Sequence, residues 1–199
     1  EEQLESVQEY DYSVCEQREP MARVLMQGTV LILSQEVESK KPYLGSGFLV
    51  ARSNLVITCD HVVHAQHAVR VKFFGDDRLY EATVHRNFLP RDLSVLVICS
   101  PFIKKRGLLV ARGQDYGETE DVMLAGYPSP PTFGAAAPFV GIAHITGVDA
   151  SYKAEKGLIR FSGSGLAQGM SGGPLMCFKT GSVIGLLTQK ALKSDASNI

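Results

Sequence analysis

Short apolar runs follow one another along most of the chain, and several of them alternate with polar residues. They are rich in Val, Ile, Leu, Tyr and Phe and are bounded by Gly, Pro, Asn or Asp, which is typical of β-strands. No segment keeps an apolar repeat of 3.6 residues over more than three turns, so no long helix is predicted. The pattern predicts eleven strands: Val24–Leu33, Gly47–Ala51, Leu55–Cys59, Val69–Phe74, Tyr80–His85, Leu93–Ile98, Val122–Tyr127, Val140–Val148, Gly157–Phe161, Pro174–Phe178 and Val183–Thr188.

The predicted strands form two series, separated by a polar connection near Gly107–Asp121. Regular spacing with turn residues between the strands favours barrels or sandwiches. We therefore expect an all-β chain in two halves, the first over about residues 21–108 and the second over about residues 120–199. Between Pro128 and Pro138 we expect a rigid surface loop, with a ligand of a polyproline-binding partner as the less favoured alternative.

Composition excludes several classes of function. The 199 residues are 45% hydrophobic and 21% charged, as in a globular protein, and the net charge of -1 gives no basis for binding nucleic acid or an anionic membrane. No apolar run approaches the roughly 18 residues that span a bilayer. The one short basic run, Lys104–Arg106, is expected to be a solvated turn.

The first 20 residues hold seven acids and one Arg, with few large aliphatic residues. This composition predicts an acidic arm or linker outside the core. Because the chain starts with Glu1 and has no Met there, we expect it to have been excised from a longer protein.

The four cysteines form no C-x-x-C pair and no zinc-binding spacing. Cys99 and Cys177 lie in apolar, strand-like runs, where a free thiol behaves as a small hydrophobic group. These features favour a reducing, intracellular and cytoplasmic location, and they predict neither a metal nor a cofactor.

Three stretches carry chemically useful residues in a fixed order. His61 follows an apolar strand in "VITCDHVVHA", Asp92 opens a strand in "RDLSVLVI", and Ser171 stands in the turn "GMSGGP". Each residue alone is typical of an ordinary core or turn position. Together, in an all-β chain, they match the parts of a nucleophilic triad.

The chemistry requires these three residue types. A serine hydroxyl is a weak nucleophile until a base removes its proton, and neutral imidazole is suited to that work near pH 7. A carboxylate fixes the tautomer of the imidazole and stabilises the imidazolium ion. Gly169 allows a backbone twist that directs its own N–H and that of Ser171 to one point, where they form a candidate oxyanion hole.

The stretches "ITCDHVV", "DLSVLVI" and "GMSGGPLMCFKTGSVIGLLT" resemble the trypsin-like serine peptidases, most closely the HtrA/Deg branch and its intracellular relatives. The resemblance covers roughly residues 28–190 and includes "GSGFLV" at residues 45–50. It implies a chymotrypsin-like fold of two six-stranded Greek-key β-barrels with the site in the cleft between them. It also implies His61 as general base, Asp92 as its orienting carboxylate, Ser171 as nucleophile, and Gly169 with Ser171 as oxyanion donors.

The chain departs from this family pattern at several positions. Met170 stands where zymogen-activated relatives have an Asp that pairs with a new N-terminus, so activation by clipping is not expected. Cys59 is out of register with the disulfide that secreted relatives carry beside the catalytic histidine. The 199 residues leave no room for the PDZ domain that HtrA proteins usually add, and "SDASNI" ends where the last barrel strand would begin.

The resemblance also suggests which residues contact a substrate. The floor of the pocket for the residue before the cleaved bond would come from Gly165, with Leu166 beside it, and no acid lies there to bind Arg or Lys. We therefore expect a small or medium apolar side chain in that pocket. The pocket wall, and the strand that pairs with an extended substrate, would be Gly185–Gln189, which contains Gly185, Leu186, Leu187 and Thr188.

Other polar residues near the three stretches have simpler interpretations. Asp60 is expected to point away from His61 because neighbouring residues at a strand end face opposite sides. His64 and His67 are predicted to lie in a solvent-facing turn, and His85 and His144 on strands or the surface.

The sequence predicts a serine endopeptidase acting on protein or peptide substrates. Two alternatives stay open: a self-processing protease module of a larger protein, and an inactive, peptide-binding pseudoprotease. Partners other than substrate would be flanking domains of a longer chain. An oligomer is compatible with the resemblance, since HtrA relatives are often trimers.

Overall fold

The computed structural model describes residues 12–35, 43–63, 68–100, 103–112, 120–129, 137–152, 155–163 and 165–188, with side chains described outside 12–17 and 148–158. One helix and eleven strands lie in these ranges. They are α1 (Tyr12–Gly28), β1 (Thr29–Gln35), β2 (Tyr43–Leu49), β3 (Leu55–Thr58), β4 (Ala68–Phe73), β5 (Leu79–Phe88), β6 (Leu93–Ile98), β7 (Asp121–Gly126), β8 (Phe139–Tyr152), β9 (Glu155–Gly163), β10 (Pro174–Cys177) and β11 (Val183–Leu186).

The first six strands form a closed antiparallel barrel in the order β1-β2-β3-β6-β5-β4. Alternate residues of each strand point inward, as in β6, where Ser94, Leu96 and Ile98 are buried and the residues between them are partly exposed. The interior is filled mainly by branched aliphatic side chains, together with the buried ring of Phe73. The predicted six-stranded barrel is confirmed.

The second half is a five-stranded antiparallel sheet in the order β11-β10-β7-β8-β9. Its core contains Val122, Leu124, Ile145 and Leu175, together with Met170 and Leu187 from the segments beside β10 and β11. The two-half, chymotrypsin-like fold is confirmed. The sixth strand expected in the second half is not among the described residues.

Helix α1 was not predicted, and the expected strand Val24–Leu33 is wrong over its first five residues. The buried or half-buried side chains Met21, Ala22 and Leu25 share a helical face, with Gly28 below them. This face packs against Leu108 and belongs to the same buried cluster as Met123 and Met176 of the second sheet. Pro20 lies inside the helix. Because proline is unfavourable in a helix interior, the sequence indicates a helix only after this residue, over a short apolar repeat. Residues 12–20, nine of the 20 residues of the expected acidic arm, therefore lie in a helix.

The described part of the connection between the two halves, residues 103–112, pairs with both of them. Leu108 is buried, and its backbone pairs with Val50 of the first barrel. Two residues later, Val110 pairs with Val183 of β11. The connection therefore contacts both halves and helps to fix their relative placement.

Lys105, expected in a solvated turn, instead forms part of a charge cluster on the first barrel. Its Nζ lies 2.7 Å from Asp76 Oδ2, and it sits 5.5 Å from the ring centre of Phe73. Asp76 also accepts hydrogen bonds from the backbone and guanidinium of Arg78 and from the Tyr80 hydroxyl. Arg78, and then Lys105, hold the pKa of Asp76 well below its ordinary value of about 3.8.

The Asp76→Asn variant is expected to have a melting temperature a few degrees lower than wild type at neutral pH. Because the folded pKa is depressed, the carboxylate stabilises the fold at pH values above about 3.8 and loses this effect as the pH falls below it. Thermal melts of both proteins between pH 7 and pH 2 should show the difference narrowing on acidification. The control is Asp77→Asn, since Asp77 is the neighbouring acid, is fully exposed and forms an ion pair with Lys72 at 3.3 Å. A difference that does not change with pH would contradict this account.

The expectations for the cysteines, for two histidines and for the proline-rich loop have different outcomes. Cys177 is buried as predicted, whereas Cys99 is exposed, because it follows the end of β6. His64 and His67, and most of the loop from Pro128 to Pro138, lie outside the described residues. No helix in the described part of the chain is long and apolar enough to cross a membrane.

Candidate active site

His61 and Asp92 are brought together from two turns of the first barrel. His61 lies in the 3₁₀ turn Asp60–Val62 that follows β3, and Asp92 ends the 3₁₀ turn Leu89–Arg91 just before β6. Because β3 and β6 are paired, both turns emerge at the same end of the barrel. Asp92 has φ of 50°, a left-handed conformation that Asp tolerates better than most residues.

The Asp92 carboxylate contacts His61 at two points. Its Oδ2 lies 2.7 Å from Nδ1 of the imidazole, and its Oδ1 accepts the backbone N–H of His61 at 3.0 Å. The Asp92 side chain is 16% exposed and the His61 side chain 33%. The two contacts fix the ring orientation and favour the tautomer with the proton on Nδ1, which leaves Nε2 free to accept a proton.

Asp60 has a different partner, in keeping with the expectation that it faces away from the imidazole. Its Oδ1 accepts a hydrogen bond from the Ser94 hydroxyl at 2.7 Å. Its backbone N–H donates to the carbonyl of Asp92 at 3.2 Å, which joins the two turns a second time. The other histidines lie elsewhere, with His85 exposed on β5 and His144 beside Asp121 on the exposed face of β7 and β8.

Ser171 lies in the glycine-rich turn before β10, against the first barrel. Gly169 and Gly172 have φ of +90° and +87°, a region that favours glycine. A Cβ added at Gly172 would lie 2.4 Å from the Thr58 hydroxyl and 3.0 Å from the amide of Cys59. This close approach at the end of β3 places Ser171 near the turn that carries His61.

Two side-chain atoms in this region are buried without a hydrogen-bond partner among the described residues. They are Nε2 of His61 and Oγ of Ser171, the base and the hydroxyl of the predicted triad. Buried polar atoms without a partner are uncommon in folded proteins and call for an explanation. In proteases without substrate the bond between base and nucleophile is often long or poorly aligned.

The backbone of the serine turn presents two free donors. Within the described residues, the N–H groups of Gly169 and Ser171 have no hydrogen-bond acceptor. The peptide before Gly169 is fixed because the carbonyl of Gln168 accepts the N–H of Ser129 at 2.6 Å, and the N–H of Met170 points back to Ala167. An anion bound beside Ser171 could therefore be stabilised by donors that are already oriented.

A narrow pocket opens beside Ser171. Its lining is Phe161, Leu166, Ala167, Met170, Leu187 and Thr188, with Ser171 at its edge. Leu166, Leu187 and Thr188 are among the residues expected from the sequence, whereas Phe161, Ala167 and Met170 were missed. Met170 is only 1% exposed. In the sequence, its position next to Ser171 is the only indication that it lies at the site.

Three residues expected to contact substrate lie outside this pocket. Gly165 packs on the ring of Phe139, to which an added Cβ would be 2.3 Å distant. Leu186 packs against the core of the first barrel, and Gly185 pairs with Leu175 in the sheet. Of the stretch Gly185–Thr188, only Leu187 and Thr188, which follow β11, line the pocket.

Cys59, His61 and Asp92 offer a thiol, an imidazole nitrogen and a carboxylate oxygen within 4.8 Å of one another. The Cys59 thiol, however, is fully buried and donates to the carbonyl of Leu187 at 3.1 Å. Burial, and then the nearby Asp92 carboxylate, raise the pKa of Cys59 well above its ordinary value, which disfavours the thiolate that a metal would require. These contacts compete with a metal and do not form a prepared binding site.

Residues 45–186 match the model of a family described as trypsin-like peptidase domain. The chain belongs to the trypsin-like peptidase family. The matched region contains His61, Asp92, Ser171 and all the lining residues of the pocket except Leu187 and Thr188. The chain therefore carries a trypsin-like peptidase domain.

The trypsin-like chain is also similar to individual proteins. Mouse serine protease HTRA4 is 30% identical over 159 residues, which are 80% of the chain but 32% of that protein, so the chain spans about a third of that relative. This match confirms the resemblance to the HtrA branch.

Solved structures resemble the chain in fold. The crystal structure of Deg5 has a TM-score of 0.71 at 18% identity and covers 92% of this chain and 88% of that one. The active form of the Rv3671c protease from M. tuberculosis has a TM-score of 0.68 at 24% identity and covers 94% and 83%. These likenesses support the double-barrel fold.

Proposed function

We propose that the chain hydrolyses peptide bonds through Ser171, His61 and Asp92, by way of an acyl-enzyme on Ser171. The observation that carries the proposal is the two-point contact of Asp92 with His61, next to a buried serine turn with two free N–H donors. The same residue types in this order are required for activating a serine hydroxyl.

In the proposed first step, Ser171 Oγ attacks the carbonyl carbon of the peptide bond and His61 Nε2 takes the hydroxyl proton. The imidazolium ion is stabilised at Nδ1 by Asp92, which stays ionised. The negative charge on the carbonyl oxygen is held by the N–H groups of Gly169 and Ser171. When the intermediate collapses, His61 gives the proton to the leaving amine, and the acyl group stays on Ser171.

In the second step, water replaces the amine and the roles repeat. His61 takes a proton from the water as it attacks the acyl carbon, and returns it to Ser171 Oγ as the ester bond breaks. The products are a new carboxylate and the free enzyme. An extended substrate would pair with the backbone of the Gly185–Gln189 segment and so add a strand to the sheet; Gln189 lies outside the described residues.

Cleavage is expected mainly after Val, Leu or Ala. The pocket beside Ser171 is narrow and mostly apolar, and among the described residues no acidic side chain lines it to pair with a cationic residue. Placing an Arg or Lys side chain there would leave a buried charge without a partner, which is costly. Product mapping with a peptide library should show kcat/KM for the apolar residues about 100-fold or more above that for Arg and Lys. Cleavage mainly after Arg or Lys would contradict the proposed pocket.

The experiment that tests the proposed activity compares wild type with Ser171→Ala on a cell-derived protein mixture, with product termini identified by mass spectrometry. Products that appear only with wild type support the proposal. Cleavage confined to the enzyme's own chain, in cis, would favour a self-processing module. Peptide binding without any cleavage would favour a pseudoprotease.

A reducing, intracellular compartment is also proposed, on the free thiols of Cys59, Cys99 and Cys177. Flanking domains of a longer chain are proposed as partners, because the chain spans only about a third of mouse HTRA4.

A further inference from the structure

Ser46, at the centre of β2 in the first barrel, makes three hydrogen bonds to the second half of the molecule. Its hydroxyl donates to the carbonyl of Gly169 at 2.8 Å and accepts the N–H of Tyr127 at 2.8 Å. Its backbone N–H donates to the carbonyl of Ser171 at 2.8 Å. The residue is fully buried, so water does not compete for these bonds.

A fourth bond fixes Ser46 itself. The Thr58 hydroxyl, on the neighbouring strand β3, donates to the carbonyl of Ser46 at 2.7 Å. Thr58 lies three residues before His61. The same short network therefore joins the strand that leads to the imidazole with the turn that carries the serine.

The glycines on either side of Ser46 allow this contact. A Cβ at Gly45 would lie 2.3 Å from Val62, in the turn of His61, and a Cβ at Gly47 would lie 2.8 Å from the carbonyl of Ile57. The strand can therefore lie close to its neighbours only without side chains at these two positions. Between them, the hydroxyl of Ser46 is directed to the second half.

The bonds to Gly169 and Ser171 fix the peptide groups 169–170 and 171–172, each of which is joined through a single Cα to the peptide group that carries a proposed oxyanion donor. Gly169, with φ of +90°, has no side chain to restrict its rotation. Its carbonyl is held by the Ser46 hydroxyl and that of Ser171 by the Ser46 N–H, so both carbonyls are turned toward the first barrel. The N–H groups of the same two residues are left without acceptors and remain available to an oxyanion.

We propose that Ser46 is a positioning residue for catalysis: its hydroxyl holds the serine turn in the conformation that presents the Gly169 and Ser171 N–H groups to the oxyanion. This inference rests on the proposed function. Within the described part of the chain, Ser46 forms no hydrogen bond with the nucleophile's hydroxyl or with the imidazole, and it acts through the backbone of the turn.

The test is the Ser46→Ala variant of the full chain, which keeps the strand and its backbone bond to Ser171 but removes the bond to Gly169 and the acceptor of the Tyr127 N–H. We expect kcat to fall by about 10- to 100-fold, less than the loss caused by deleting an oxyanion donor outright. The affinity for a peptide boronate, which forms a tetrahedral adduct, should weaken by a similar factor. The KM of the peptide substrate should change by less than about 3-fold, since ground-state binding does not depend on these donors.

The matched control is Thr29→Val. The Thr29 hydroxyl is equally buried and donates one bond, to the carbonyl of Leu25 at 2.7 Å, but it lies at the junction of α1 and β1. If Ser46 acted only through stability, both variants would behave alike at a temperature where both are folded. Unchanged kcat and boronate affinity in folded Ser46→Ala would overturn the inference, as would a loss in kcat of the same size in Thr29→Val.

Should Ser46→Ala not fold, Thr58→Val replaces it. This variant leaves the Ser46 hydroxyl in place and removes the bond to its carbonyl, and a fall in kcat without a change in KM supports the inference, whereas wild-type kcat overturns it. A fluorophosphonate probe separates this inference from the proposed function. If wild type fails to react at Ser171, both fall; if wild type and Ser46→Ala react at equal rates, only the role of Ser46 falls.

Discussion

The Ser171→Ala variant is expected to turn over peptide substrates about 10⁴- to 10⁶-fold more slowly than wild type. The reason is that His61 and Asp92 assist only a hydroxyl at this position, so without it the remaining groups can bind and polarise the carbonyl but cannot form an acyl-enzyme. Initial rates with a fluorogenic peptide carrying Val or Leu before the cleaved bond measure the effect directly.

The control for this variant is Ser162→Ala. Ser162 lies at the end of β9, before the serine turn, and is exposed. As for an ordinary surface position, its replacement should leave the rate within about 2-fold of wild type. The Ser171 hydroxyl has no hydrogen-bond partner among the described residues, so its removal should not destabilise the fold. Retention of a tenth or more of the activity in Ser171→Ala would contradict the assigned nucleophile.

The second large effect is expected in Asp92→Asn, in which kcat should fall by about 10⁴-fold. The backbone N–H of His61 requires an acceptor, so the amide oxygen of Asn should take the place of Oδ1 and its NH₂ group the place of Oδ2. An NH₂ group facing Nδ1 makes that nitrogen an acceptor and moves the ring proton to Nε2. The imidazole then cannot accept a proton from Ser171, although the geometry is preserved.

Asp60→Asn is the matched control, because Asp60 is the neighbouring acid and bonds Ser94 instead of the imidazole. Steady-state kinetics of both variants, with circular dichroism as a check of folding, should show a much smaller loss for Asp60→Asn. Equal losses in the two variants would show that the charge near the site matters and that the tautomer does not.

Strand positions could be predicted because they follow from local composition. Each of the eleven predicted strands overlaps an observed one, since runs such as "LSVLVI" combine β-branched residues with turn residues at their ends. The closure of the first six into a barrel came from the family resemblance and not from the pattern. Helix α1 was missed because its apolar face is short and follows Pro20, and because its burial depends on Leu108 and Met176, which are remote in sequence.

The candidate triad could be predicted because each member stands in a short motif at the end of a strand. The pocket could be predicted only in part. Leu166, Leu187 and Thr188 lie where the resemblance suggests. Phe161 and Ala167 also line the pocket, because of the path that the backbone takes before the serine turn, and the sequence does not determine that path. Gly165 and Leu186 are directed elsewhere by their contacts with Phe139 and the first barrel.

The contacts of Ser46 could not be found in the sequence. The residue is 123 positions from Gly169, and a serine between two glycines is typical of many turns and strands. Only the packing of the two halves gives its hydroxyl a carbonyl and an N–H as partners. Hydrogen bonds between distant segments depend on the orientation of whole barrels, which local propensity does not determine.

The most direct measurement of the central claim is the site of covalent modification by a fluorophosphonate, located by peptide mass spectrometry on the intact chain. An activated hydroxyl beside two oxyanion donors should take the phosphonyl group at Ser171 alone, and the reaction should be abolished in Ser171→Ala and strongly slowed in Asp92→Asn. A chain that stays unmodified, or that reacts equally well after Ser171 is replaced, would contradict the account.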